Sequence, residues 1–502
     1  MKIKQMYKLF ILSIAVFISC NAYSQNYSNN WIFGDSAGLN FSTIIPTSIS
    51  SKILSHEACA SISDSMGNLL FYTNGQNVWD RNNEVMPNGD SLNIGQLSFD
   101  DPSSITQGVS IIPKPGSNNL YYIFQLQNKH VPPENYGLEY TTVDIKMNGG
   151  LGDVYEKNID IFTGYLDEKM QIIKHGNGKD YWLLTKQTAL DDTSLCFALF
   201  LINEDSIVGP FVQCFTGLND AGSSGVGSTG QMKFSQDGTK LVFTRGVYFI
   251  LIDFDRCSGD LSNLKEILYA DKGLYGCEFS KDARMVYFSE TASFFEENKI
   301  IQYCLSCPEP IEDTKQIIYE DTDLNHAIGQ LQLGPDDKIY ATIFNNVYND
   351  HLNTSINTNV SVINYPEING LGCNFDTLTI PLISGRCTIA LPNMPNYNLG
   401  PLAGSECDTL QIEVNNILPN EAFLIYPNPA SDNIYFKFSD NNLSPININN
   451  ITISDATGRT VKVISNLEDN SIYVGDLQVG LYIVHIMTTN NNSFLSKLII
   501  EK

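Results

Sequence analysis

Gly230–Arg245 reads G-Q-M-K-F-S-Q-D-G-T-K-L-V-F-T-R. Met232 to Ser235 has the make-up of a short strand, Asp237-Gly238 of a hairpin turn, and Leu241 to Thr244 of the returning strand. Such a turn needs positive φ, which glycine adopts without steric cost. The phrase recurs at Gly276–Glu290 (G-C-E-F-S-K-D-A-R-M-V-Y-F-S-E) and Gly329–Phe344 (G-Q-L-Q-L-G-P-D-D-K-I-Y-A-T-I-F). Looser copies lie at Ala60–Thr73, Gly108–Phe124 and Met170–Thr185.

The copies start roughly 45 to 60 residues apart, enough for one four-stranded blade each. Other strand-like runs fall between them, such as Glu139–Val143, Phe197–Ile202, Tyr248–Phe254 and Ile300–Tyr303. No long amphipathic helical pattern appears. The spacing predicts an all-β chain whose larger part is a seven-bladed β-propeller. Gly385–Leu391 matches the first strand of the phrase without a second. Asn30–Gly34 looks like a second strand without a first. The two ends are therefore expected to share the last blade and close the ring. The alternative is a pair of β-sandwiches with similar hairpins.

The chain has 502 residues and a formal net charge of −25. That length calls for more than one domain. Such acidity repels phosphate backbones and anionic lipid, so nucleic acid is not an expected partner. Residues 1–24 form a signal peptide: Lys2, Lys4 and Lys8, then apolar Leu9 to Ile18, then the small-x-small site Ala22-Tyr23-Ser24. Cys20 leaves a lipoprotein variant open, which Phe17 fits poorly. The apolar run is too short to span a bilayer, and no later stretch could do so.

Ten of the 11 cysteines lie beyond this segment. An even number in an exported chain favours disulfides over metal. Cys196/Cys214, Cys257/Cys277 and Cys373/Cys387 are candidate pairs between neighbouring strands, although spacing does not determine connectivity. Cys304-Leu305-Ser306-Cys307 fits a structural bridge better than a redox or zinc pair.

Residues 25–393 make the propeller. Residues 394–421, with Pro395, Pro401, Pro419, Gly400 and Gly404, read as linker. A second domain, 422–502, carries short alternating strands: Ile434–Phe438, Ile451–Ser454, Thr460–Ile464, Ser471–Val474, Gly480–Met487 and Phe494–Ile500. This is the pattern of a small β-sandwich.

Four ordered blocks in that domain resemble the type A C-terminal sorting domain of the Bacteroidota type IX secretion system. They are Tyr426-Pro427-Asn428-Pro429, Ile453–Arg459 with Gly458, Leu477–Tyr482 with Gly480, and the tail Lys497-Leu498-Ile499-Ile500. The resemblance implies export to the periplasm, then passage across the outer membrane by the secretion machinery, ending secreted or on the cell surface. It implies that Pro427, Asn428, Pro429, Gly458, Gly480, Tyr482 and Lys497 carry the sorting signal. The propeller also resembles a group of exported Bacteroidota proteins, through Asn30–Gly34 (N-W-x-F-G) and Gly67–Gly75 (G-N-L-L-F-Y-T-N-G).

Motifs of chemistry are sparse. Gly225–Gly230 spells GxGxxG, but a strand follows where a dinucleotide site needs a helix. Asp321-Thr322-Asp323-Leu324-Asn325 spaces its oxygens like a calcium loop, yet His326 replaces the turn glycine and Gln332 the distal Glu. A polar interblade loop fits better, and an irregular calcium site is the one cofactor left open. Ser235–Gly238 departs from the sialidase Asp-box. The repeats are WD40-like in length only, since Trp79-Asp80 has no Gly-His companion. The six histidines are scattered, with no H-E-x-x-H, and no G-x-S-x-G occurs. The expectation is a secreted or surface propeller that binds a glycan or protein, without catalytic, cofactor or metal residues. The alternatives are an extracellular polysaccharide hydrolase or lyase, whose mark would be carboxylates converging in the channel, and a structural or gliding-adhesion component.

Overall fold

The computed structural model describes residues 26–92, 105–127, 137–187, 194–218, 229–269, 273–290, 297–345, 355–408, 423–438, 448–455, 460–464, 471–488 and 493–502. Two compact units result, Met1–Thr409 and Leu410–Lys502.

Among its described residues the first unit holds seven antiparallel sheets, taken in chain order as blades one to seven. Their inner described strands are Asn30–Phe33, Ala60–Ser63, Val109–Pro113, Leu166–Lys174, Met232–Phe234, Leu274–Phe279 and His326–Leu333. Blades three to seven have four strands each, paired in chain order. Every copy of the repeated phrase is the first hairpin of a blade, from blade two to blade seven. In blade five Met232 pairs with Phe243 and Phe234 with Leu241. At the turn Gly238 takes φ +73°, and Asp237 accepts from the Ser235 hydroxyl at 2.5 Å and the Thr239 N–H at 3.0 Å. These bonds hold the Asp237 carboxyl below its usual range, outweighing its partial burial. Blade six repeats the device with Ser280 and Asp282, but Ala283 occupies the left-handed position at φ +55°.

Burial along the strands shows why the sequence reads as it does. In blade six Leu274–Phe279 and the next strand, Met285–Glu290, are buried at every position, because neighbouring blades cover both faces of the strands near the axis. Ile207–Thr216, the outermost strand of blade four, is mostly exposed. Blade-to-blade contacts are aromatic and aliphatic: Phe249 meets Phe288 at 4.5 Å, and Phe197 meets Phe243 at 5.7 Å. Each such fully buried side chain contributes about 1.5–3 kcal/mol.

The ends close the ring as expected. Asp35, just past the inner strand of blade one, exchanges backbone hydrogen bonds with Arg386, at 3.0 and 2.8 Å. On its other side the returning chain receives the Gln330 N–H of blade seven at the Ile389 carbonyl. Gly385–Leu391 thus lies inside blade one, between it and blade seven.

The disulfides agree with the sequence in two places and differ in two. Cys196–Cys214 joins directly opposed residues of neighbouring strands, and Cys304–Cys307 closes its short loop. Cys257 pairs with Cys407 instead of Cys277. Cys257 sits in an outer turn, whereas Cys277 points inward with its thiol 3.2 Å from the Gln231 carbonyl. Cys373 and Cys387 are buried and unbridged, as are Cys277 and Cys59.

The segment Met394–Cys407, within the stretch expected to be linker, is bound to the first unit. Arg256 donates to the Gly400 carbonyl at 2.6 Å, the Leu402 N–H to the Gly176 carbonyl at 2.7 Å, and the Cys257–Cys407 bridge ends it.

The second unit is a small sandwich. One sheet joins Phe423–Tyr426, Asn433–Phe438 and Ser471–Tyr473. The other joins Ile448–Asp455, Thr460–Ile464, Gly480–Thr488 and Ser493–Ile500. Tyr482, Val484 and Ile486 face the core with Ile453, Leu498 and Ile500, while Leu481 and Ile483 face out. This period of two is the signature of a strand buried on one face.

Candidate functional site

The propeller axis is filled by amide side chains. Gln107 pairs like a peptide with Met232, accepting its N–H at 2.8 Å and donating to its carbonyl at 3.0 Å. Gln231 accepts the N–H groups of Cys277 and Leu331 at 3.1 and 2.9 Å. Gln330 donates to the Thr106 carbonyl and accepts the Leu391 N–H, both at 2.8 Å. Asn393 donates to the Met170 carbonyl at 3.0 Å and accepts from Gln171 at 2.6 Å. Buried amides satisfied in this way bind blades across the axis to one another. Among the described residues the axis is therefore lined by paired polar amides. A sequence signal existed in Gly230-Gln231 and Gly329-Gln330, which place glutamine at the same inner position. Glycine precedes it because inner strands approach closely: a Cβ on Gly329 would lie 2.4 Å from the Ile389 carbonyl oxygen.

On the hairpin-turn side, the Asn393–Leu399 segment runs over the filled axis. Asn396 donates to the Gln236 carbonyl at 2.9 Å, and the Tyr397 hydroxyl to the Ile111 carbonyl at 2.7 Å. Beside it opens a cavity of about 490 Å³, lined among others by Gln236, Lys281, Gln332, Asp337, Asn396 and Asn398. Lys281 and Asp337 form an exposed ion pair at 2.5 Å. Deeper in, Lys233 bridges Glu278 and Gln332. Burial pushes the Glu278 carboxyl up, against the pull of Lys233. Amides with one ion pair, in a cavity of this size, suit a polar ligand with many hydroxyl or amide groups.

At the opposite ends of the inner strands lies a second cluster. The Thr106 hydroxyl is 2.9 Å from Glu168 Oε2 and 3.3 Å from Glu57 Oε2, and accepts the Gly230 N–H at 3.2 Å. Glu168 also accepts the Thr106 N–H at 3.2 Å. Burial pushes its carboxyl up, offset in part by those bonds. Lys169 is fully buried and donates to the Thr229 carbonyl. Tyr275 is buried beside Thr106 and Gln330, and its hydroxyl makes no hydrogen bond of ordinary geometry among the described residues. None of these residues stood out in the sequence.

The sequence-level motifs fall elsewhere. Of the GxGxxG run, Gly225 to Ser228 lie outside the described residues, and Gly230 leads into a strand. In the calcium-like loop His326 takes the carboxylates, with Nδ1 3.0 Å from Asp321 and Nε2 3.4 Å from Asp323.

In the C-terminal unit several of the residues expected to carry the sorting signal lie close together. Asn428, between Pro427 and Pro429, donates from Nδ2 to the Lys497 carbonyl at 2.7 Å and accepts the Ile499 N–H at 2.8 Å. Ala430 continues the ladder, its N–H donating to Ile499 and its carbonyl accepting from Glu501. Gly480 faces Ile500, and buried Tyr482 faces Leu498 while its hydroxyl donates to the Gln478 carbonyl at 2.8 Å. Gly458 lies outside the described residues.

Residues 424–501 match the family model of the secretion system C-terminal sorting domain. This marks the chain as cargo of a type IX secretion system. The sequence matches no curated protein. Among solved structures it is similar to the periplasmic gluconolactonase PpgL of Pseudomonas aeruginosa, at 11% identity and TM-score 0.37, covering 86% of this chain and 98% of that one. It is similar to PorZ, a surface component of the type IX secretion system of Porphyromonas gingivalis, at 11% identity and TM-score 0.27, covering 94% and 69%. A functionally unknown protein from Desulfotomaculum acetoxidans is 13% identical with TM-score 0.35, covering 59% and 83%. The fold assignment rests on the seven sheets themselves.

Proposed function

We propose that this chain is a binding protein, carried by type IX secretion to the cell surface or the medium, whose propeller holds a glycan in the cavity beside Asn393–Leu399. The observation that carries this reading is the cavity of about 490 Å³ with its amide side chains and the Lys281–Asp337 pair. Pyranose rings offer the paired donors and acceptors that such amides match. The sorting domain supports the destination, where extracellular polysaccharide is met. Sorting itself falls to Asn428, Gly480, Tyr482 and Lys497, with Pro427, Pro429 and Gly458 in the same blocks.

A hydrolase is the weaker reading. Glu57 and Glu168 do converge, but on a single Thr106 hydroxyl that stands between them. Glycosidase carboxylates flank a space large enough for the scissile bond and, in inverting enzymes, a water.

The test is a glycan array with the full chain, repeated with Asn396→Ala and Lys281→Ala. Binding to a defined glycan class, weakened at least tenfold by either substitution, is expected. Undiminished binding by both variants, or none to any glycan, would remove this reading.

A further inference from the structure

A second cavity opens on the hairpin-turn side, over the outer part of blade five. Its volume is about 460 Å³, and it is lined among others by Asp237, Thr239, Asp253, Asp255, Ser262 and Asn263. Gln236 lines the cavity beside Asn393–Leu399, and the next two residues, Asp237 and Gly238, line this one. The overlying segment is shared in the same way, with Leu399 on the first cavity and Leu402 on the second. The two cavities are therefore neighbours across a single hairpin turn. That turn is fixed in place, because Asn396 donates to the Gln236 carbonyl at 2.9 Å and to its side-chain oxygen at 2.8 Å.

The polar groups of the second cavity are open to solvent and held in position. Thr239, Asp255, Ser262 and Asn263 are exposed. Asn263 takes φ +53° in the bulge of the outermost strand, Leu261–Leu268, and donates to Asp253 Oδ2 at 2.9 Å. Asp253 Oδ1 receives Lys240 at 2.8 Å. Arg256 is committed to the carbonyls of Lys174, His175 and Gly400. Asp237 and Asp255 take hydroxyl and backbone N–H donors, and form no ion pair among the described residues. An acidic ligand would be repelled by these carboxylates, whereas their lone pairs suit hydroxyl donors. Exposed Leu402 offers the apolar contact that the C–H face of a pyranose ring needs.

We propose that the two cavities form one groove for a neutral polysaccharide, whose consecutive sugar units run from the first cavity over the blade-five turn into the second. This rests on the glycan reading of the first cavity and adds the class of ligand: an uncharged chain of several units, not a single sugar or a uronate. Each cavity alone falls within the range of about 300–1,000 Å³ usual for ligand sites. A chain already seated in the first cavity enters the second without a new loss of translational freedom, so the two contacts reinforce each other.

The test is titration of the full chain with cello-, xylo-, malto- and chito-oligosaccharides, from disaccharide to octasaccharide, with oligogalacturonides as the acidic series. Within the neutral series that binds, affinity should rise at least tenfold from disaccharide to hexasaccharide and then level off. Oligogalacturonides should bind at least tenfold more weakly at equal length. Ser262→Trp, which fills the second cavity from an exposed strand position, should remove the gain with length. Asn263→Ala should reduce that gain severalfold, and decides alone if Ser262→Trp fails to fold. Asn396→Ala, by contrast, should weaken every length alike. Affinity that is flat in length, a gain that survives the second-cavity variants, or equal binding of oligogalacturonides overturns this proposal and leaves the glycan reading standing. Absence of binding by every series overturns both.

Discussion

The side-chain amide of Asn428 donates to the backbone carbonyl of Lys497 at 2.7 Å, and so holds the last strand as another peptide would. With the Ile499 N–H returned to Asn428 Oδ1 at 2.8 Å, the first and last sorting blocks form one hydrogen-bonded unit. Asn428→Ala should release the final strand at a cost of about 1 kcal/mol for an exposed pair of bonds. Removing Ser496–Lys502 should do more, since it strips the partners of Gly480–Val484 and leaves their backbone groups unpaired. Fractionation and blotting in a secreting host should show reduced export for Asn428→Ala and chain trapped in the periplasm for the truncation. Wild-type export of both would refute a sorting role for this junction.

Gln107 substitutes for a strand at the axis, so Gln107→Ala leaves the Met232 N–H and carbonyl buried and unpaired. Each orphaned group costs about 1–3 kcal/mol. Thermal melts should show a fall of several degrees, and an unchanged Tm would mean that the glutamine network is incidental.

Cys257 and Cys407 lie 150 residues apart, and their bridge fastens the segment over the axis. Replacing both by serine should lower stability by about 2–4 kcal/mol. It should also expose Tyr397, now buried, to chymotrypsin. Resistance equal to that of the wild type would show that the hydrogen bonds of Arg256 and Leu402 suffice.

Ala283 holds a left-handed turn position that Gly238 fills in the preceding blade. Ala283→Gly should stabilise by about 0.5–1 kcal/mol, since the Cβ penalty outweighs the added chain entropy. Urea unfolding would read the gain, and a loss would mean that the methyl packs usefully.

Burial pushes the fully buried Lys169 ammonium down to about 8, with Asp167 opposing. The unfolded lysine holds its proton to about pH 10.4. Above pH 8 the unfolded chain therefore binds more protons than the folded one, and stability rises with pH. Relative to Lys169→Met, the wild type should gain up to about 1.4 kcal/mol per unit between pH 8 and 10. A flat difference would place Lys169 as a fully charged partner of Asp167.

What the sequence by itself determined is local or ordered along the chain. The blade hairpins were legible because alternation and Asp-Gly-type turns are properties of a few consecutive residues, as at Phe234–Leu241. Ring closure was legible because Gly385–Leu391 and Asn30–Gly34 each carry half of a repeated phrase. The sorting blocks were legible by type and order, though not the bond between Asn428 and Lys497. Only the tertiary structure decided which distant side chains meet. Glu57 and Glu168 reach Thr106 from 49 and 62 residues away. Cys257 finds Cys407 because Asn393–Cys407 turns back over the hairpin ends, a path set by packing that no periodicity encodes. The glutamines gain their role from the axis alone, where seven inner strands converge and each amide must find its partner on another blade.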